Sequence, residues 1–200
     1  MLDRTARRLI DPPLNRLGRG MADRGWTANG VTLLGLGLGL LSALTIALGA
    51  PLLALVPLLV SRLADGLDGA VARATVKTDF GGYLDIACDF AFYGAVPLAF
   101  AVLDPANGLA AAFLLASFYV NGTSFLGYAI LAEKRGITTQ AQGIKSLYYS
   151  NGLLEGTETI VFFILICLFP MAFAGLSWVF GTLCVLTAVL RIHGASKLFT

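Results

Sequence analysis

Charge is scarce in this chain, and histidine and cysteine are scarcer still. Only 13% of its 200 residues are charged while 57% are hydrophobic, where a soluble globular domain carries about 25% and 45–50%. That balance, with a mean hydropathy of +0.80, excludes a water-soluble fold. It also excludes disorder, which needs low hydrophobicity and high charge. The three cysteines (Cys88, Cys167 and Cys184) form no C-x-x-C pair and lie in apolar stretches, so they read as small buried hydrophobes. His193, the single histidine, reads as an interfacial residue. A net charge of +2 is too small to indicate a nucleic-acid partner. No repeat and no low-complexity segment is present, and 23 glycines without a G-X-Y period point to close helix packing.

What is present is long uncharged sequence. Such stretches run from Gly25 to Ser61, Phe90 to Leu103, Pro105 to Ala132 and Thr159 to Leu190. A membrane-spanning helix needs about 20 apolar residues at about 1.5 Å of rise each. The first stretch holds two spans, with Gly49-Ala50-Pro51 as the turn between them, and the last turns near Pro170 to Gly175. The sequence therefore predicts an all-α integral membrane protein with six transmembrane helices, at about 30–49, 52–73, 80–103, 108–132, 152–171 and 176–195. Asn121-Gly122-Thr123 matches a glycosylation sequon but falls mid-span, which sets that reading aside.

The N-terminus differs. Arg4, Arg7, Arg8, Arg16, Arg19 and Arg24 lie among Leu2, Leu9, Ile10, Leu14 and Leu17, and Pro12-Pro13 is expected to interrupt any helix. This composition predicts a basic segment on the membrane surface. A secretory signal opens in a similar way, but the apolar run that follows here is span-length. We therefore read residues 1–29 as a retained cytoplasmic juxtamembrane segment and 30–200 as the transmembrane domain. With six spans and the N-terminus inside, the inner segments are 1–29, 73–80, 133–151 and 196–200. All 14 Lys and Arg are then expected on inner loops or inner helix ends, and the outer turns carry only Asp104. Both termini are cytoplasmic on this reading.

Within the spans, acids cluster. Asp65 and Asp68 stand at i, i+3 on the second span, and Asp85 and Asp89 at i, i+4 on the third, so each pair shares one helix face. Intramembrane charges are costly and mark function. By helical rise, Asp65 and Asp68 lie about 12 and 8 Å inside Arg73, and Asp85 and Asp89 about 9 and 15 Å inside Asp79. All four are thus expected to meet in the cytoplasmic third of the membrane, with too few basic residues at that depth to pair them. Like charges in a partly dehydrated site repel, and cations balance them. Oxygen donors alone suit Mg²⁺, Mn²⁺ or Ca²⁺ and not Zn²⁺ or Cu²⁺. Two divalent ions match four acids, and such a pair stabilises attacking and leaving oxygens in phosphoryl chemistry. Gly66, Gly69, Ala70 and Ala72 leave room for a large flat ligand or a close helix. Arg73, at the water interface, can grip a phosphate bidentately.

Asp65-x2-Asp68-Gly69-x2-Ala72-Arg73-x7-Gly81-x3-Asp85-x3-Asp89 resembles the signature of the CDP-alcohol phosphotransferases (CDP-alcohol phosphatidyltransferases), D-x2-D-G-x2-A-R-x8-G-x3-D-x3-D. Eight fixed positions in order make the resemblance specific. Seven residues separate Arg73 from Gly81 where the family has eight; Gly82 restores the eight but leaves two residues before Asp85, so either glycine can be the motif glycine. Trp26-Thr27-Ala28-Asn29-Gly30-Val31-Thr32 resembles the family's T-P-N-x-x-T entry to the first span, with Ala28 in place of proline. Asp79-Phe80-Gly81-Gly82-Tyr83-Leu84-Asp85 and Glu155-Gly156-Thr157-Glu158-Thr159 are similar to a bacterial inner-membrane subgroup, the YnjF type, over nearly the whole chain.

The resemblance implies a metal-dependent transferase of phospholipid biosynthesis in the bacterial inner membrane, facing the cytoplasm and working as a homodimer in the lipid bilayer. It implies that Asp65, Asp68, Asp85 and Asp89 bind two divalent cations, Mg²⁺ or Mn²⁺, and that Asp89 is the catalytic base. It further implies that Asn29, Thr32, Asp65, Gly69, Ala72 and Arg73 bind the CDP-alcohol donor, while an acceptor alcohol attacks and CMP leaves. Lys145, Tyr148 and Tyr149, at i, i+3, i+4, together with Glu155, Glu158 and Arg191, are candidates for the acceptor site. Arg191 is placed to pair with one of the glutamates. Interfacial anchoring is the plainer reading of the lysine and tyrosines. Two rivals remain. A membrane prenyltransferase also uses intramembrane aspartates and Mg²⁺, but with more spans and no D-G-x2-A-R element. A cation transporter favours midplane acids, interrupted helices and internal repeats, whereas here the acids are off-centre and no repeat is seen.

The orientation gives a direct test. With Cys88, Cys167 and Cys184 replaced, a cysteine at Lys77 should resist an impermeant thiol reagent in intact cells, and one at Asp104 should react. The reverse pattern contradicts the cytoplasmic placement of the acid cluster.

Overall fold

Leucines open to the surroundings and serines buried within indicate the solvent for which this chain is built. Large apolar side chains such as Leu33, Leu44, Leu53, Val102 and Val179 are exposed, whereas Ser42, Ser61, Ser117, Ser177 and Thr187 are buried. In water such a surface drives association. In a bilayer the tails cover it, and the hydroxyls of Ser42, Ser61, Ser117 and Thr187 find partners inside.

The computed structural model describes residues 2–136, 154 and 156–199, and every regular element among them is helical. In chain order these are α1 (Leu2–Ala22), α2 (Ala28–Ala47), α3 (Pro51–Ala74), α4 (Asp79–Leu103), α5 (Gly108–Lys134), α6 (Gly156–Leu168) and α7 (Phe173–Leu198), with short 3-10 turns at Pro105–Asn107 and Pro170–Ala172. Four helices, α2, α4, α5 and α7, are long and apolar enough to cross a membrane. α3 has the length but carries Arg62, Asp65, Asp68 and Arg73, and α6 is apolar but 13 residues long.

The helix ends follow from local chemistry. Thr27 and Thr78 cap α2 and α4, each accepting through Oγ1 from the amide three residues on, Gly30 at 3.1 Å and Gly81 at 3.0 Å. Such caps satisfy amides that have no partner within the helix. The expected turn after α2 is present: Gly49 adopts φ +91°, a left-handed value that glycine takes without strain, and Pro51 opens α3. Several boundaries differ from expectation, and the fifth expected span, 152–171, is described as α6 over Gly156–Leu168 alone. The last helix begins at Phe173 and not 176, because the 3-10 turn starting at Pro170 leads directly into it. α1 continues through Pro12 and Pro13. Each proline removes one helical hydrogen bond, but both prolines are exposed, and tertiary contact holds the chain beyond them.

The chain forms two compact units. The first contains Arg4–Gly108, hence α1 from Arg4 onward through α4, together with Cys167–Pro170. In it α2 packs against both α3 and α4. Small residues permit the approach: a Cβ added to Gly39 would lie 2.6 Å from Phe92 Cδ2, and one on Gly18 of α1 would lie 2.6 Å from Ala70 Cβ on α3. Across the α2–α3 seam Ser42 Oγ donates to the Ala54 carbonyl at 2.9 Å, and Ser61 Oγ to the Gly35 carbonyl at 2.7 Å. Hydrogen bonds of this kind join helices where lipid gives no hydrophobic drive between them.

In the second unit, which holds α7 and nearly all of α5 and α6, aromatic contacts dominate. The Phe162 and Phe180 rings stack at 4.3 Å, and those of Phe113 and Trp178 at 4.4 Å. Gly181 admits Phe113, whose Cε1 lies 2.7 Å from where its Cβ would be.

Gly39→Leu should overpack the α2–α4 contact at a cost of about 1–3 kcal/mol. We expect the thermal midpoint in detergent to fall by several degrees. Gly37→Leu, with nothing within 4 Å of the added carbon, should leave it unchanged. Equal midpoints for the two variants contradict the packing described.

Candidate active site

Four residues, Thr75 to Thr78, connect α3 to α4, so the acids at the end of one helix come back to the acids at the start of the next. Carboxylate oxygens of Asp65, Asp68 and Asp85 all lie within 4.8 Å of one another. Asp68 is buried, and the Thr32 hydroxyl of α2 donates to its Oδ2 at 2.6 Å. Thr32, expected at the donor site, is thus placed to orient a member of the triplet. The donor set consists of carboxylate oxygens alone, which fits a hard divalent cation. An anionic triplet this tight is unfavourable in a low dielectric unless cations balance it.

Asp89 is not part of that triplet. Its Oδ1 lies 2.8 Å from Arg62 Nη1, and the same nitrogen lies 3.4 Å from Asp65 Oδ1. This corrects two expectations. Arg62 stands eleven residues before Arg73 in the middle of α3, not at an inner helix end, and it gives the acids a basic partner at their own depth. Sequence reasoning overlooked it because it borders a long uncharged stretch. The signal was nevertheless there: Arg62 precedes Asp65 by three residues and so shares its helix face. Burying an arginine is costly unless it is paired, and the partners it finds here offset that cost.

Nearer the end of α3, Arg73 is exposed and its Nε donates to Asn15 Oδ1 of α1 at 3.0 Å. Asn15 had no signal in the sequence, because the contact joins residues far apart in the chain. The small residues around the acids have separate uses. A Cβ on Gly66 would lie 2.9 Å from Leu14 Cδ1, and one on Gly69 would lie 3.3 Å from Arg73 Nη1. Gly66 and Ala70 therefore receive α1, while Gly69 leaves space for the arginine. Ala72 is half-buried. Gly81 is the tight one of the two glycines: its Cβ would lie 3.2 Å from Asn29 Oδ1, whereas Gly82 has nothing within 4 Å. The seven-residue spacing thus keeps a glycine where Asn29 of α2 approaches the first turn of α4.

In the other unit Arg191 is buried on α7. Its Nη1 donates to Asn121 Oδ1 at 2.9 Å, to the Asn121 carbonyl at 3.1 Å and to Ser124 Oγ at 2.6 Å, both on α5. Glu158 lies in the first turn of α6 and is half-buried. Lys145, Tyr148, Tyr149 and Glu155 lie outside the described residues.

Residues 26–190 match the sequence profile of the CDP-alcohol phosphatidyltransferases. The chain is 47% identical over 193 residues to inner membrane protein YnjF of Escherichia coli (strain K12), covering 96% of this chain and 94% of that protein. It is 41% identical over 81 residues to archaetidylinositol phosphate synthase of Pyrococcus horikoshii, covering 40% and 43% of the two chains. Its fold is similar to crystal structures of Mycobacterium tuberculosis phosphatidylinositol phosphate synthase. With CDP-DAG bound, the TM-score is 0.69 at 25% identity, covering 90% of this chain and 92% of that one. With manganese and citrate it is 0.71 at 26% identity, covering 90% and 88%. The acid triplet, its hard-cation chemistry and these likenesses agree: this multi-pass inner-membrane protein belongs to the CDP-alcohol phosphatidyltransferase family and is a metal-dependent transferase.

Proposed function

We propose that the chain transfers a phosphatidyl-type group from CDP-diacylglycerol to an acceptor alcohol, releasing CMP, at the cytoplasmic face of the bacterial inner membrane. The observation that carries this reading is the convergence of Asp65, Asp68 and Asp85 oxygens within 4.8 Å on the two helices joined just beyond Arg73. A family relative with CDP-DAG bound supports the choice of donor. For the whole chain we propose six spans, α2 to α7, preceded by the basic segment 1–29 on the inner surface. The acceptor hydroxyl and the donor nucleotide then meet at the boundary of lipid and cytoplasm. The family resemblance adds a homodimer in the bilayer.

Asp65, Asp68 and Asp85, with Asp89 completing the set, would hold two divalent cations, Mg²⁺ or Mn²⁺. Bound there, the cations neutralise the diphosphate and the charge that develops during transfer. Thr32 keeps Asp68 oriented through its hydrogen bond. Asn29, Thr32, Asp65, Gly69, Ala72 and Arg73 form the donor site, in which Arg73 grips phosphate and Gly69 and Ala72 admit the nucleotide. The acceptor oxygen attacks the phosphorus that bears the diacylglycerol, and the bond from that phosphorus to the CMP oxygen breaks. Asp89 takes the hydroxyl proton. Positioning and charge neutralisation are what phosphoryl transfer requires of a protein. For the acceptor, Lys145 and Arg191 suit an anionic group, and Tyr148, Glu155 and Glu158 suit hydroxyls.

A panel of glycerol 3-phosphate, inositol phosphate, serine and a phospholipid alcohol, with CDP-diacylglycerol and Mg²⁺, should show CMP release with one of them. No release with any of them contradicts the reading. Asp68→Asn should lower CMP release about 100-fold or more and weaken Mn²⁺ binding with it. Asp89→Asn should keep donor binding within about tenfold by calorimetry yet lose turnover by roughly 100-fold, the scale of general-base catalysis. If Asp89→Asn loses binding as severely as Asp68→Asn, Asp89 is a metal ligand alone.

A further inference from the structure

Arg62 is the one charged side chain of the acid cluster that the reaction above leaves without a task. It is held from three sides. Nη1 lies between Asp89 Oδ1 at 2.8 Å and Asp65 Oδ1 at 3.4 Å, and Nη2 donates to Ser61 Oγ at 3.0 Å. The guanidinium lies over the Phe92 ring, 4.3 Å from its centroid. The contacts behind these are fixed as well. Ser61 Oγ in turn donates to the Gly35 carbonyl at 2.7 Å, and Phe92 occupies the space that the missing side chain of Gly39 leaves. Two helices thus hold the guanidinium in place against the third, and the carboxylate it meets most closely is the one outside the triplet.

We propose that Arg62 is a positioning residue for Asp89. It engages Oδ1, so the carboxylate cannot rotate freely, and it leaves Oδ2, which has no partner among the described residues, to the reaction. Displacing a reacting group by about 1 Å can cost about 100-fold in rate, so an unanchored Asp89 is a slower base even where its chemistry is unchanged. Arg62 has a second consequence of opposite sign for the metals. As a cation beside four carboxylates it opposes divalent ions. A residue kept only to hold the helices together would have no such double effect: its loss would weaken both turnover and metal binding.

This inference rests on the proposed transfer reaction, and its test separates the two. Full-length wild type, Arg62→Met and Arg62→Lys in detergent are titrated with Mn²⁺ by electron paramagnetic resonance. They are then assayed for CMP release from CDP-diacylglycerol with the acceptor that gives the highest wild-type rate. Arg62→Met should bind Mn²⁺ roughly threefold or more tighter, through the lost positive charge. Its kcat should fall roughly tenfold or more while KM for the donor moves less. Arg62→Lys keeps the charge but not the fork; it should hold Mn²⁺ affinity within about threefold and recover part of the lost kcat. Wild-type kcat in Arg62→Met, or joint loss of kcat and Mn²⁺ affinity, overturns the proposal. If Arg62→Met does not survive purification, Arg62→Lys decides: lowered kcat with Mn²⁺ affinity kept supports the role, and unchanged kcat overturns it. An inactive wild type refutes the transfer reaction instead, and the Mn²⁺ shift still reads the opposition between Arg62 and the metals.

Discussion

Mutual repulsion of carboxylates in a poorly hydrated place is the constraint on which the rest of this structure depends. Asp65, Asp68 and Asp85 are held within 4.8 Å by two helices whose connection is too short to let them part. With Asp68 buried and Asp65 and Asp85 half-buried, water screens them only in part. Such a cluster persists only with opposite charge close by, and the structure answers at two levels. Arg62 sits beside Asp65 and Asp89. The remaining deficit is what a pair of divalent cations would fill, and those cations in turn attract a diphosphate. On the proposed reaction, metal affinity, donor affinity and catalysis all follow from keeping the acids together against their repulsion.

Small residues supply the framework for that. Gly35 and Gly39 bring α2 onto α3 and α4, and α2 then delivers Thr32 to Asp68 and Asn29 to the first turn of α4. Gly18 and Gly66 bring α1 onto α3 from the other direction, which is how Asn15 reaches Arg73. The basic segment therefore also has a role inside the fold. It touches the arginine proposed to hold the donor phosphate, so its seating on α3 and the shape of the donor site are linked. Glycine is needed at these points because helices without a hydrophobic drive between them associate by close backbone approach.

Much of this was legible in the residue order. Uncharged runs located the apolar helices to within a few residues, and the spacings Asp65/Asp68 and Asp85/Asp89 placed each pair on one face. The Asp-Gly-x2-Ala-Arg pattern pointed to the chemistry. The misreadings have physical causes. Arg62 was hidden because its charge lies between two apolar segments, and segment boundaries had been drawn from charge. The helix through Pro12-Pro13 defied local propensity because tertiary contact at Leu14 and Gly18 outweighs two missing hydrogen bonds. The choice between Gly81 and Gly82 depended on Asn29, some fifty residues away, which no local pattern contains. The partners of Arg191, Asn121 and Ser124, are likewise distant in sequence.

The central claim is that the three converging acids form a two-cation centre. Anomalous diffraction at the manganese edge from crystals of the wild-type protein grown with Mn²⁺ tests it most directly. The account predicts two peaks about 4 Å apart, coordinated by carboxylates of Asp65, Asp68 and Asp85 with Asp89 completing the set and still engaged by Arg62. Manganese bound elsewhere in the chain, with no peak at these three carboxylates, would contradict it.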